Sequence, residues 1–67
     1  MCMATAYLEQ GSRREALISD VVFLRQEGGQ IVLQALFGDR ATVTAKIKEI
    51  DFANSIILLE EKREEAT

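Results

Sequence analysis

Residues 41–48 have the sequence ATVTAKIK, in which apolar and polar side chains alternate without a break. A period of two is typical of a β-strand that buries one face and leaves the other in water. Lys46 and Lys48 lie on the polar face together with two threonines. The apolar face consists of Ala41, Val43, Ala45 and Ile47. The segment therefore predicts a half-buried strand.

Turn signals on both sides of this strand divide the chain into further short strands. Gly38-Asp39 predicts a tight turn before it, and Gly28-Gly29 predicts a β-hairpin because glycine adopts positive φ without a steric penalty. Asn54 marks a turn after it. The predicted strands are residues 2–9, 16–24 with a bend at Ser19-Asp20, 30–37, 41–48 and 56–59.

This order of short strands predicts an all-β fold, a small SH3-like (Sm-like) and partly open barrel of about five antiparallel strands. We expect residues 1–60 to form the barrel domain and residues 61–67 to form a charged, flexible tail. A domain of this size buries only about 60% of its unfolded surface, so a monomer would be marginally stable. One cysteine cannot form an internal disulfide, and a metal or a second copy is therefore expected to add stability.

Composition narrows the classes of partner. With 48% hydrophobic and 28% charged residues the chain is expected to fold, and its net charge of −3 argues against nucleic acid or an anionic membrane as the main partner. The apolar run Ile56–Leu59 is far shorter than the roughly 20 residues that span a bilayer. No signal-peptide pattern is visible, so a reducing cytoplasm is the expected location.

Cys2 is the only cysteine, and the chain has no histidine. If Met1 is removed, Cys2 presents an α-amine and a thiolate that together close a five-membered chelate ring. The amine has a reference pKa of about 8, so its proton is lost to a metal at little cost near neutral pH. Paired nitrogen and sulfur ligands suit square-planar Ni(II) or Cu(II). The alternative interpretation is that Cys2 is a small buried hydrophobic residue.

One chain supplies only half of such a site, and a two-fold axis near Cys2 would complete it. The ligands would then be two amines and two thiolates, or two thiolates with the backbone nitrogens of Met3. Alternation places the Met3 side chain on the face opposite Cys2, so that side chain is expected to pack. The predicted metal residues are therefore Cys2 through its thiolate and Met3 through its backbone amide.

Catalysis lacks its usual groups in this sequence. Most acidic residues fall at turns or strand ends, where solvated carboxylates are expected, and no histidine is available as a base. Serine occurs only at Ser12, Ser19 and Ser55, and no glycine pattern for phosphate is present. The chain is therefore not expected to be an enzyme.

RNA binding is the alternative function, because small SH3-like and Sm-like barrels often bind RNA. The candidate groups are the lysines of the polar strand face and four aromatic residues. Phe23, Phe37 and Phe52 lie in apolar runs, which predicts core positions for them rather than stacking surfaces. A third possibility is an interaction module that binds a partner protein without metal.

Six segments of the chain resemble one protein family when they are taken together. They are MCMA at 1–4, ISDV at 18–21, RQEGG at 25–29, LFG at 36–38, KEIDF at 48–52 and IILLEE at 56–61. They resemble the CooT family of small nickel-binding proteins. The resemblance implies an SH3-like homodimer that binds one Ni(II) at its interface through the Cys2 thiolates and takes part in nickel supply to carbon monoxide dehydrogenase.

We therefore predict a cytoplasmic, homodimeric carrier or metallochaperone for Ni(II), with the metal held between two copies by Cys2. Its expected partners are a second copy and a nickel enzyme or maturation factor. An RNA-binding barrel remains the alternative.

Overall fold

Five β-strands and no helix make up residues 3–61, the part of the chain that the computed structural model describes. Each strand pairs with the next in an antiparallel ladder. The strands are β1 (Ala4–Gln10), β2 (Arg13–Glu27), β3 (Gln30–Ala35), β4 (Arg40–Asp51) and β5 (Ile56–Glu61). The predicted all-β, SH3-like fold is confirmed. Residues 3–61 include no helix long and apolar enough to cross a membrane.

The sheet closes into a barrel because β5 pairs with β1. This ladder is parallel and runs from Thr5↔Ile56 to Glu9↔Glu60. Five strands that alternate in direction leave the first and the last pointing the same way, so the closing ladder has to be parallel. The described barrel is thus more closed than the partly open one that the sequence predicted.

The predicted bend in β2 is present at Asp20, which has a φ of 57°. The pairing of β2 with β1 shifts register nearby, and its pairing with β3 begins at Val21. The Leu36 backbone N–H donates to the Asp20 carbonyl at 2.9 Å, which fixes the bend against the turn after β3. The long strand therefore contributes to two different parts of the barrel wall.

Most strand ends differ from the prediction. β2 spans Arg13–Glu27 rather than residues 16–24, and β5 reaches Glu61, the first residue of the predicted tail. β3 stops at Ala35 rather than at residue 37, because the chain turns there and the Gly38 N–H donates to the Ala35 carbonyl at 3.1 Å. β4 continues to Asp51 because it has two partners. Its first half pairs with β3 and its second half pairs with β5.

The core fills the barrel with aliphatic side chains only. It consists of Ala6, Val21, Ile31, Leu33, Ala45, Ile57 and Leu59. Ala4 and Leu8 pack against it from β1, so alternate residues of that strand face inward as predicted. The prediction that the phenylalanines belong to the core is wrong. Phe23, Phe37 and Phe52 are 41%, 83% and 73% exposed.

Candidate metal centre

The predicted metal residues lie at the beginning of β1. Cys2 is outside the described residues, and Met3 is the first residue within them, with a side chain that is 39% exposed. The Thr5 N–H donates to the Ser55 carbonyl at 3.0 Å, and Ala4 pairs with Val21 of β2. The structure therefore fixes where β1 begins, between β2 and the β4–β5 turn. The ligand roles of Cys2 and Met3 stay predictions.

A hollow of about 180 Å³ opens beside Ala4, and we call it the apolar mouth. Its walls are the second half of β2 and the β4–β5 turn. The large apolar side chains that line it and remain exposed are Val22, Phe23, Ile50 and Phe52. Exposed apolar side chains gathered in one place usually mark an interaction surface. This surface was not predicted from the sequence, because the phenylalanines were expected to lie in the core.

A side-chain turn keeps Phe52 at the apolar mouth. Asp51 Oδ2 accepts a hydrogen bond from Asn54 Nδ2 at 2.9 Å, and Asp51 Oδ1 accepts one from the Asn54 backbone N–H at 3.1 Å. Both bonds lower the pKa of Asp51, and the bond from the Asn54 side chain has the larger effect. Phe52 lies between the two residues that make this turn, so it belongs to the turn and does not continue β4. The Asp-x-x-Asn spacing is the sequence signal that could have indicated it.

Described residues alone do not assemble a metal site. No three His, Cys, Asp or Glu side chains among residues 3–61 come together where they could hold an ion. The whole chain has one cysteine and no histidine. A site with two thiolates therefore needs Cys2 from two copies of the chain.

The lysine face, the candidate for RNA binding, has its positive charges compensated. Lys48 contacts Glu9 Oε1, and Lys46 Nζ lies 3.9 Å from Glu60 Oε1. Arg14 Nη2 adds a second cation 3.5 Å from Glu9 Oε2. Because these cations already face carboxylates, the face offers little free positive charge to a phosphate backbone.

The contact of Glu9 with Lys48 predicts a pH dependence of stability. The hydrogen bond from Lys48 is the main cause that lowers the pKa of Glu9, and the charges of Lys48 and Arg14 add to it. A lowered pKa means that the native state favours the carboxylate. Its stabilising contribution is thus present at neutral pH and is lost as the pH falls through the folded-state pKa.

We expect Glu9→Gln to lower the melting temperature slightly at neutral pH, with a difference from the parent that shrinks on acidification. Thermal melts followed by circular dichroism from pH 7 to about pH 3 would measure it. Glu15→Gln is the matched control, since Glu15 forms no ion pair within residues 3–61. A difference that grows as the pH falls would contradict the prediction.

The chain is similar to a known protein family and to a solved structure. Residues 1–60 match the sequence profile of a family described as CO dehydrogenase accessory protein CooT. A crystal structure of a protein assigned as CooT from Carboxydothermus hydrogenoformans has a TM-score of 0.86 and 31% sequence identity to this chain. The match covers 92% of this chain and 100% of that one. No curated protein sequence matches the chain.

Proposed function

Because the chain belongs to the CooT family of CO dehydrogenase accessory proteins, we propose that it carries Ni(II) between two copies of itself and supplies it to that enzyme. An accessory protein assists an enzyme and is not one, which agrees with the prediction from the sequence. Nickel is here the cargo, and the receiving protein is the nickel enzyme or a factor that matures it.

The observation that carries the proposal is the position of the apolar mouth at the beginning of β1. Cys2 precedes Ala4 by two residues, which span at most about 7 Å of extended chain. A second copy that covers the mouth across a two-fold axis would bring its own Cys2 into the same region. Burial of the exposed apolar side chains would provide the free energy of this association.

The available ligands suit the proposed cargo. Two thiolates with two nitrogens, either the Cys2 amines after removal of Met1 or the Met3 amides, form a set that square-planar Ni(II) accepts. An ion shared by two chains stabilises the associated form by mass action. Separation of the chains would then release the ion, which is what a carrier requires.

A cytoplasmic location follows from the same chemistry. The ligand is the thiolate form of Cys2, and a reducing compartment keeps a single thiol reduced. We therefore propose that loading and delivery take place in the cytoplasm.

The test compares two phenylalanines that differ in place. Phe52 lies at the apolar mouth, whereas Phe37 lies on another surface and is more exposed. We expect native mass spectrometry of the parent protein to give one Ni(II) per two chains. Phe52→Asp should weaken nickel binding at least ~30-fold, or about 2 kcal/mol, because a charge at the mouth opposes the contact. Phe37→Asp should leave it unchanged.

A second measurement, disulfide cross-linking, tests whether the two Cys2 residues lie close together. Since Cys2 is the only cysteine, mild oxidation should join two parent chains by a Cys2–Cys2 disulfide. Phe52→Asp should reduce this cross-link and Phe37→Asp should not. The mass of each sample also gives the state of Met1. One Ni(II) per single chain, or equal nickel binding by both variants, would refute the proposal.

A further inference from the structure

We propose that the first half of β2 forms a second contact between copies of this chain, in which two β2 edges pair antiparallel and continue the sheet from one barrel to the next. This contact is separate from the apolar mouth and does not involve nickel. Together the two contacts would build an assembly larger than a dimer.

The free edge of β2 is the first observation. Residues 13–16 and 18 pair with β1, with a shift of register at Leu17, but β3 pairs with β2 only from Val21 onward. Within residues 3–61, no strand covers the other edge of this stretch. Alternate backbone N–H and C=O groups there point away from β1. Such an edge is a template for another strand.

Charge makes this edge complementary to itself. Residues 13–20 read RREALISD, with arginines at one end, aspartate at the other and apolar residues between them. Arg14 already faces Glu9, so within residues 3–61 the free arginine of this stretch is Arg13. Antiparallel pairing about a point between residues 16 and 17 sets Asp20 of one chain opposite Arg13 of the other, which gives opposite charges at both ends of the ladder.

The surroundings of the edge have room for the second chain. A cleft of about 380 Å³ runs beside it and is lined by Ile18, Asp20, Phe37 and Asp39 among others. The partner's β2 starts at Arg13, directly after its β1–β2 turn, so the paired strand would extend no further than this cleft. Neither Asp20 nor Asp39 forms an ion pair with another described residue. Both carboxylates are therefore available to the partner's Arg13.

A second copy is favoured over a foreign segment because one stretch of this chain supplies every complementary part. The edge, both charges and the apolar centre all lie within residues 13–20. The cleft and the apolar mouth have no lining residue in common, so covering one does not cover the other.

The test separates the two contacts by one variant in each. Phe52→Asp disrupts the apolar mouth, and Arg13→Asp places like charges opposite each other at the β2 edge. In sedimentation experiments we expect Phe52→Asp to remain dimeric through β2 and Arg13→Asp to remain dimeric with one Ni(II) per two chains. The double variant should be monomeric at concentrations at which Phe52→Asp is half dimeric. Arg40→Asp is the control, because it makes the same charge change at an exposed residue outside the cleft.

Hydrogen exchange gives an independent measurement of the same contact. In Phe52→Asp, alternate amides of residues 13–18 should gain protection as the protein concentration rises. Adding Arg13→Asp to Phe52→Asp should raise the protein concentration required for this protection about tenfold. Added salt should also raise the concentration that Phe52→Asp alone requires.

Two results would overturn the inference. One is a Phe52→Asp protein that is monomeric at every concentration, and the other is an Arg13→Asp protein that assembles like the parent. Failure of the nickel proposal would give a different result. The parent protein would bind no nickel, but the chains would still pair through β2.

Discussion

Replacing Cys2 by serine should abolish nickel binding, with a loss of at least ~1,000-fold in affinity, about 4 kcal/mol. The chain has no other thiol and no histidine, so the proposed site would lose both of its thiolates at once. A hydroxyl does not replace a thiolate at neutral pH. The sulfur-to-nickel charge-transfer absorption of the parent should be missing, and native mass spectrometry should find no bound ion. The circular dichroism spectrum should be unchanged, because Cys2 precedes β1.

Met3→Leu is the matched control for this experiment. It removes the neighbouring sulfur while keeping the volume of the side chain and the backbone amide. We expect nickel affinity within about threefold of the parent, since isosteric replacement of Met by Leu is well tolerated and the amide is the predicted ligand. Equal losses in both variants would make the Met3 thioether a ligand instead. Retention of one Ni(II) per two chains by Cys2→Ser would refute the proposed site.

Local patterns in the sequence predicted most of the barrel, because each depends on neighbouring residues. Alternation in β4 and the two glycines before β3 are such patterns, and the structure has both features. Closure by the parallel β1–β5 ladder joins the two ends of the barrel, and no local pattern reports on it.

One part of the candidate site could likewise be predicted from the sequence, and another part could not. Cys2 could be selected from its chemistry alone, as the single thiol of the chain, and the family resemblance added the metal. The apolar mouth could not be predicted, because hydropathy does not distinguish an exposed phenylalanine from a buried one. Small aliphatic residues fill the interior of this narrow barrel, and Phe52 is left outside. Only the Asp51–Asn54 turn, read as a turn that includes Phe52, indicates its exposure from the sequence.

The largest effect on stability should come from Leu33→Ala. Leu33 is fully buried at the centre of β3, where it is paired with Leu24 on one side and Ala41 on the other. Truncation of a buried leucine costs about 2–5 kcal/mol, because apolar contacts are lost and a cavity remains. A core of this size rarely supplies more than about 3–5 kcal/mol, so a large fraction of the variant should be unfolded.

Leu36→Ala is the control with the same chemical change three residues later. Leu36 is 46% exposed in the turn after β3, so its loss should cost no more than about 0.5 kcal/mol. Urea denaturation followed by circular dichroism measures both variants. Similar midpoints for Leu33→Ala and Leu36→Ala would contradict the assigned core.

Nickel should partly restore the fold of Leu33→Ala, and this links the core to the proposed cargo site. An ion that binds only the folded, associated chains stabilises them by about 2.7 kcal/mol at a free concentration one hundred times its dissociation constant. Because one ion serves two chains, the gain per chain is about half of that value, and it offsets only part of the cost of the cavity. Added Ni(II) should therefore raise the urea midpoint of Leu33→Ala, and it should have no such effect once Cys2→Ser is combined with it. A gain that persists without the thiol would place the stabilising ion elsewhere on the protein.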